Sequence, residues 1–168
     1  ADENCTPFLA NNRHLIIIRT LSKSYGLAGL RVGYALGSPK MIALLDKVRE
    51  IYNVDRLAQT AALVALQDQD HFHAMRKKVI ATRQAFVAWL QEKGWHTYDS
   101  QANFVFTEPR TASGTVGSEV ADDIFHFLVQ RKVLTRRFKK HALTSSRLRI
   151  SIGTKDEMEF VSSLIEEW

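Results

Sequence analysis

Four consecutive apolar residues, Leu15-Ile16-Ile17-Ile18, run into a glycine-rich stretch from Gly26 to Gly37. A short, continuous, β-branched run of this kind reads as a strand buried on both faces, as in parallel sheets. The glycine-rich stretch holds a second short apolar piece, Val32 to Leu36. Together they predict an open sheet with a polar loop, Thr20 to Arg31, just past the carboxyl end of its first strand. In open parallel sheets that is where ligands bind.

The remaining pattern alternates helices with strands. Ser38-Pro39 opens a helix with Pro at its first position and Met41, Leu44, Leu45 and Val48 on one face. A second helix is predicted over roughly Leu57 to Leu66. A longer one covers about His73 to Lys93, with Met75, Val79, Phe86 and Leu90 as its apolar stripe and Gly94 as its stop. Asn103 to Phe106 is a strand candidate ended by Glu108-Pro109, and Arg110 to Gly117 is a loop rich in Ser, Thr and Gly. Val120, Ile124, Phe125, Leu128 and Val129 mark an amphipathic helix, with Asp122 and Asp123 near its positive end. Strands are expected at Val133 to Phe138 and Leu148 to Ile152. Thr154-Lys155-Asp156-Glu157 is a capping box that opens a last helix, with Met158, Val161, Ile165 and Trp168 on its inner face. The fold class is therefore α/β, with a domain boundary inside the long helix near residue 80: the tail of a parallel-type sheet domain over 1–79 and a small α/β domain over 80–168.

At 168 residues the chain can bury one sizeable core and part of another. No run of eighteen apolar residues exists, so no membrane span is expected, and the first apolar stretch is too short for a signal peptide. One cysteine and six scattered histidines offer no metal framework and point to a reducing compartment, here the cytoplasm. His71-Phe72-His73 sets its two imidazoles on different helix faces, which does not suit a metal. Cys5 reads as a small buried hydrophobe. The net charge of +5 is concentrated at Arg131, Lys132, Arg136, Arg137, Lys139, Lys140, Arg147 and Arg149, with no acidic residue among them. Such a segment attracts anions, and on charge alone it is a nucleic-acid patch, a small-anion site or a solvated loop.

The segment Thr20-Leu21-Ser22-Lys23-Ser24-Tyr25-Gly26-Leu27-Ala28-Gly29-Leu30-Arg31-Val32-Gly33-Tyr34 carries the chemistry. Lysine amines form Schiff bases when desolvation or a nearby cation lowers their pKa. Ser22 and Arg31 suit a phosphate, the arginine by a two-pronged contact. A lone loop lysine is ordinarily a solvated charge, but this fifteen-residue string resembles the cofactor-lysine signature of pyridoxal-phosphate-dependent aminotransferases of the aspartate aminotransferase fold type, class I/II. It is most similar to the histidinol-phosphate aminotransferase branch, which reads Thr-Leu-Ser-Lys-Ala-Phe/Tyr-Gly-Leu-Ala-Gly-Leu-Arg-x-Gly-Tyr.

The resemblance covers essentially the whole chain, as a carboxy-terminal half. Asp2-Glu3-Asn4-Cys5-Thr6-Pro7-Phe8 resembles Asp-Glu-Ala-Tyr-x-x-Phe, which implies that Asp2 pairs with the pyridine nitrogen. Cys5 stands where the family has the tyrosine that bonds the ring oxygen. Ser100-Gln101-Ala102-Asn103-Phe104 resembles Pro-Ser-x-Ala-Asn-Phe, with Asp99 in place of the proline. Val133-Leu134-Thr135-Arg136-Arg137-Phe138 resembles Ile-Leu-Val-Arg-x-Phe, and Leu148 to Thr154 resembles Leu-Arg-Ile-Thr-Ile-Gly-Thr.

The resemblance implies pyridoxal 5'-phosphate as cofactor, held by Asp2, Ser22, Lys23 and Arg31. Lys23 is then the Schiff-base lysine and moves a proton between the substrate Cα and the cofactor's carbonyl carbon. Arg149 is implied to grip the α-carboxylate and Arg136 a side-chain phosphate; Arg137, Lys139, Lys140 and Arg147 have no match and read as solvated. The implied activity is ping-pong transamination between small amino and keto acids, with histidinol phosphate in histidine biosynthesis as first choice. An aromatic aminotransferase, a threonine-phosphate decarboxylase, a non-enzymatic effector domain of a transcription regulator and a catalytically silent module are the alternatives. The full-length protein is expected to be a homodimer without nucleic-acid or membrane partners. Family members are about twice as long, so a 168-residue piece is expected to bind cofactor poorly and to turn over little or nothing alone.

Overall fold

The computed structural model describes residues 4–168, so Asp2 lies outside the described residues. The chain forms two compact units, Ala1–Arg76 and Lys77–Trp168. The division falls inside one continuous helix. Among the described residues no helix is long and apolar enough to cross a membrane.

Unit 1 opens with a 3₁₀ turn, Thr6–Ala10, followed by β1 (Ile16–Thr20) and β2 (Gly33–Gly37). β1 and β2 pair antiparallel, from Ile16 opposite Gly37 to Thr20 opposite Gly33. The isoleucine run does form a strand, but only Ile17 is buried and Ile18 is 80% exposed. The expectation that the strand is buried on both faces is thus corrected for the described residues, where its partner β2 runs antiparallel to it. The apolar run still supplies β-propensity, while burial depends on what covers each face. Helix α1 (Pro39–Val48) begins where Ser38 accepts from the Met41 N–H, and α2 (Arg56–Gln67) where Asp55 accepts from the Ala58 N–H. The apolar face expected on α1 is largely open, Val48 most of all. Cys5 is exposed, not buried as its residue type suggests.

Helix α3 (Gln69–Glu92) runs from unit 1 into unit 2. Unit 2 then adds β3 (His96–Thr97), β4 (Phe104–Glu108), α4 (Ser118–Gln130), β5 (Arg136–Arg137), β6 (Leu148–Ser151) and α5 (Lys155–Glu167). Its sheet has the order β3-β4-β6-β5. Side chains alternate across it. Val105, Leu148 and Ile150 point into a core shared with Phe86 and Leu90 of α3, Ile124 and Leu128 of α4, and Val161 and Ile165 of α5. The opposite face of the sheet carries Phe104, Phe106, Arg149 and Arg136. Of the expected strand Val133 to Phe138, only Arg136–Arg137 pairs. The capping box at Thr154 forms as expected, its hydroxyl accepting from the Glu157 N–H while Glu157 accepts from the Thr154 N–H at 2.7 Å. That hydrogen bond from the Thr154 backbone holds the Glu157 carboxyl below its ordinary value.

Candidate active site

In unit 1 the loop from Thr20 to Gly33 is a closed structure. Leu21 N–H donates to Val32 O at 3.1 Å, which clamps its two ends. Thr20 Oγ1 donates to Ser22 Oγ at 2.7 Å and accepts from the Ser22 N–H at 3.1 Å. Gly33 must be glycine, because a Cβ there would sit 2.6 Å from Arg19 O across the strand pair. Lys23 lies at the turn between these anchors, exposed, and its O accepts from the Gly26 N–H at 3.2 Å. Gly26 turns the chain at φ 69, a left-handed geometry natural to glycine.

Arg31 also takes a left-handed backbone, φ 56 and ψ 34, at the end of the 3₁₀ turn Ala28–Leu30. A non-glycine residue there is uncommon and often marks a functional position. Its Nη1 donates to Ala28 O at 3.0 Å, which orients the guanidinium and leaves its other N–H groups available. Ser22, Lys23 and Arg31 therefore ride one hydrogen-bonded loop: a hydroxyl, a primary amine and a guanidinium. Nothing lies within 4 Å of where a Cβ on Gly29 would stand, so the backbone between them is open to approach. This donor set fits an anionic aldehyde. A cleft of about 580 Å³ adjoins the turn, lined in part by Lys23, Tyr25, Asp68 and Phe72.

In unit 2 the pairing registers set Arg136 directly opposite Arg149, and Arg149 opposite Phe106. Two arginines abreast on one sheet face repel. Neither has an acidic partner among the described residues. Arg149 lies over the Phe104 ring at 5.2 Å and Arg136 over Phe138 at 5.6 Å. The Nε of Arg149 is buried without a hydrogen bond. A sheet face built this way suits an anion.

The neighbouring cations are not all solvated, which corrects the sequence expectation. The Arg137 side chain is only 3% exposed; its Nε donates to Asp122 Oδ1 at 3.1 Å and its Nη2 to Ser118 O at 2.9 Å. Lys139 shares the Asp122 carboxylate at 3.0 Å. Arg147 lies over the Tyr98 ring at 5.0 Å and donates to Leu143 O. Burial works to raise the Asp122 carboxyl, but the hydrogen bonds and charges of Lys139 and Arg137 outweigh it and hold the group below its ordinary value. Strand alternation explains the sorting: residue 137 turns to the α4 side, and residues 136 and 149 turn to the open face.

A family model for aminotransferase class I and II matches residues 2–164. The chain belongs to this family. It is 41% identical over 167 residues to a histidinol-phosphate aminotransferase of Microcystis aeruginosa, and 40% identical to one of Geotalea uraniireducens. Each match takes in 99% of this chain and 46% of the relative's length. The chain thus spans about half the length of the curated aminotransferases it matches. Among solved structures, histidinol-phosphate aminotransferase from Sinorhizobium meliloti in complex with pyridoxal-5'-phosphate superposes with a TM-score of 0.78 at 28% identity, over 92% of this chain and 42% of that one. The Clostridium acetobutylicum histidinol-phosphate aminotransferase gives 0.84 at 21% identity over 98% of this chain and 48% of that one, a likeness of fold. The α/β aminotransferase fold is thereby established for both units.

The sequence did not single out Tyr25 and Phe72, which meet beside Lys23. Tyr25 sits inside the signature, but nothing in its spacing points to a residue on a distant helix.

Proposed function

We propose that the full-length protein is a pyridoxal-phosphate-dependent aminotransferase acting on histidinol phosphate in histidine biosynthesis, with residues 1–79 completing its cofactor-binding domain and 80–168 forming its small domain. The observation that carries this is the loop on which Ser22, Lys23 and Arg31 stand together past the end of β1, in a chain whose relatives carry that activity in their names. When bound, the cofactor supplies an electron-accepting ring that stabilises negative charge at the substrate Cα.

The chain's own residues do the rest. Ser22 and Arg31 hold the phosphate by charge-assisted hydrogen bonds. The Nζ of Lys23 is the covalent anchor and, once released, the base that carries the Cα proton. Asp2 balances the charge of the ring nitrogen, and Cys5, with no comparable donor reach, leaves the ring oxygen to other groups. Arg149 takes the substrate carboxylate and Arg136 the phosphate, relieving the repulsion between them. A soluble cytoplasmic homodimer working on small molecules is the form in which we place it.

The test is borohydride reduction of the full-length protein with pyridoxal 5'-phosphate, followed by mass mapping and an assay with histidinol phosphate and 2-oxoglutarate. The adduct is expected on Lys23, and Lys23→Ala is expected to lose it together with about 10³-fold or more of the turnover. An adduct on another lysine, or full turnover by Lys23→Ala, overturns the proposal.

A further inference from the structure

The turn that carries Lys23 is fastened to α3 by an aromatic pair. The Tyr25 ring stacks on Phe72 with centroids 4.6 Å apart and 12° between planes. Gln69 Nε2 donates to Tyr25 Oη at 3.4 Å. Gln69 and Phe72 both lie in the first turn of α3, which Asp68 fixes by accepting from the His71 N–H at 3.1 Å. On the other side of the ring, Gly26 N–H donates to Lys23 O and Leu27 N–H to Leu21 O, both at 3.2 Å. Tyr25 is therefore pinned at both ends: its backbone in a short hydrogen-bonded turn, its ring against a capped helix.

Ser24 alone separates Tyr25 from Lys23, so the ring's seat sets the peptide planes from which the lysine departs. We propose that the Tyr25–Phe72 stack is a positioning device that aims the Lys23 amine, a role resting on Lys23 being the cofactor lysine. The stack matters because the turn has room to relax. The cleft of about 580 Å³ beside it is lined by Lys23, Tyr25 and Phe72 themselves, and removing the Phe72 ring enlarges it. Addition of an amine to an aldehyde needs close, directed approach, and a misplacement of about 1 Å is enough to slow a reaction roughly 100-fold. Phe72 touches neither substrate nor cofactor in this scheme; it acts through Tyr25.

The experiment compares the full-length parent with Phe72→Ala and Phe72→Tyr. Amide hydrogen exchange at Gly26 and Leu27 is read without cofactor, with Val105 and Ile150 as controls in unit 2. The rate at which pyridoxal 5'-phosphate becomes fixed to Lys23 by borohydride is read alongside. Phe72→Ala is expected to speed exchange at Gly26 and Leu27 at least about tenfold, and to slow adduct formation roughly 10- to 100-fold. Val105 and Ile150 stay unchanged, and Phe72→Tyr restores both readouts. Faster exchange with a parent-like adduct rate means the stack only packs the loop, and overturns the proposal. So do parent-like values of both. Should Phe72→Ala lose protection at Val105, Phe72→Leu, which keeps apolar bulk without the stack, is judged by the same outcomes. Absence of any adduct on Lys23 in the parent overturns the proposed function itself; a parent that labels beside variants that do not differ from it overturns the positioning role alone.

Discussion

Arg136 and Arg149 share a row of the unit 2 sheet, and their neighbours Arg137 and Leu148 share the next. One step along the strand separates a guanidinium facing an open surface from one locked on Asp122. The sequence motif singled out Arg136 and Arg149, because each stands in a string that resembles the family's. It misjudged Arg137, since no local spacing reveals that this cation finds a carboxylate fifteen residues upstream on α4. Cys5 was misjudged for a related reason: residue type gives an average burial, and this position has nothing packed over it among the described residues. For Arg136 the expected behaviour is selective. In steady-state assays of the full-length protein, Arg136→Ala should raise KM for histidinol phosphate roughly 10- to 100-fold, the loss of a hydrogen bond to a charged group at about 1.5–3 kcal/mol. KM for phenylalanine should barely change. Equal losses on both substrates would remove Arg136 from the phosphate.

Among elements, α4 and β5 show how a two-residue strand is kept in place. Asp122 on α4 accepts from Arg137 and Lys139, which ties β5 to α4 beside its short ladder with β6. Because the folded Asp122 carboxyl titrates below its unfolded value of 3.8, the tie is fully present above that pH and is lost as pH falls through the lower folded value. Asp122→Asn should therefore lower the urea stability of unit 2 by about 1–3 kcal/mol at neutral pH, through the buried Arg137 left without its counter-charge. The difference from the parent should begin to shrink as pH falls below the unfolded value of 3.8, and should be lost as pH passes through the lower folded value, where the parent carboxylate is itself protonated. A deficit that persists undiminished at pH 3 would mean packing, not charge, is what the substitution damages. Elements with local punctuation were legible: Pro39 and Ser38 mark the start of α1, and Thr154 with Glu157 the start of α5. β3 was missed because two residues, His96 and Thr97, carry no periodicity, and Val133 to Phe138 was overextended because apolar residues alone do not supply a pairing partner.

At the scale of the molecule the two units differ in how completely they bury their apolar side chains. Leu90, Ile124, Leu128 and Leu148 are fully enclosed in unit 2, whereas Ile51 and Tyr52 of unit 1 are 83% and 91% exposed. The sequence pointed to an α/β pattern, yet it could not show this asymmetry. Burial depends on neighbours, and the relatives carry about as much chain again. All three tryptophans, Trp89, Trp95 and Trp168, lie in unit 2, so their fluorescence reports on that unit while far-ultraviolet dichroism reports on both. In urea, the 168-residue chain should lose part of its dichroism before its tryptophan emission shifts. Coincident transitions would mean the units unfold as one.

The guanidinium pair of the open sheet face carries a consequence for turnover. On the proposed function, the two facing guanidiniums are an electrostatic spring under compression, and a substrate dianion between them would be at once cargo and mortar. Its departure should loosen the short β5 edge each cycle, so that letting go of product and relaxing that margin of the sheet become a single event, softened by salt that screens the charges.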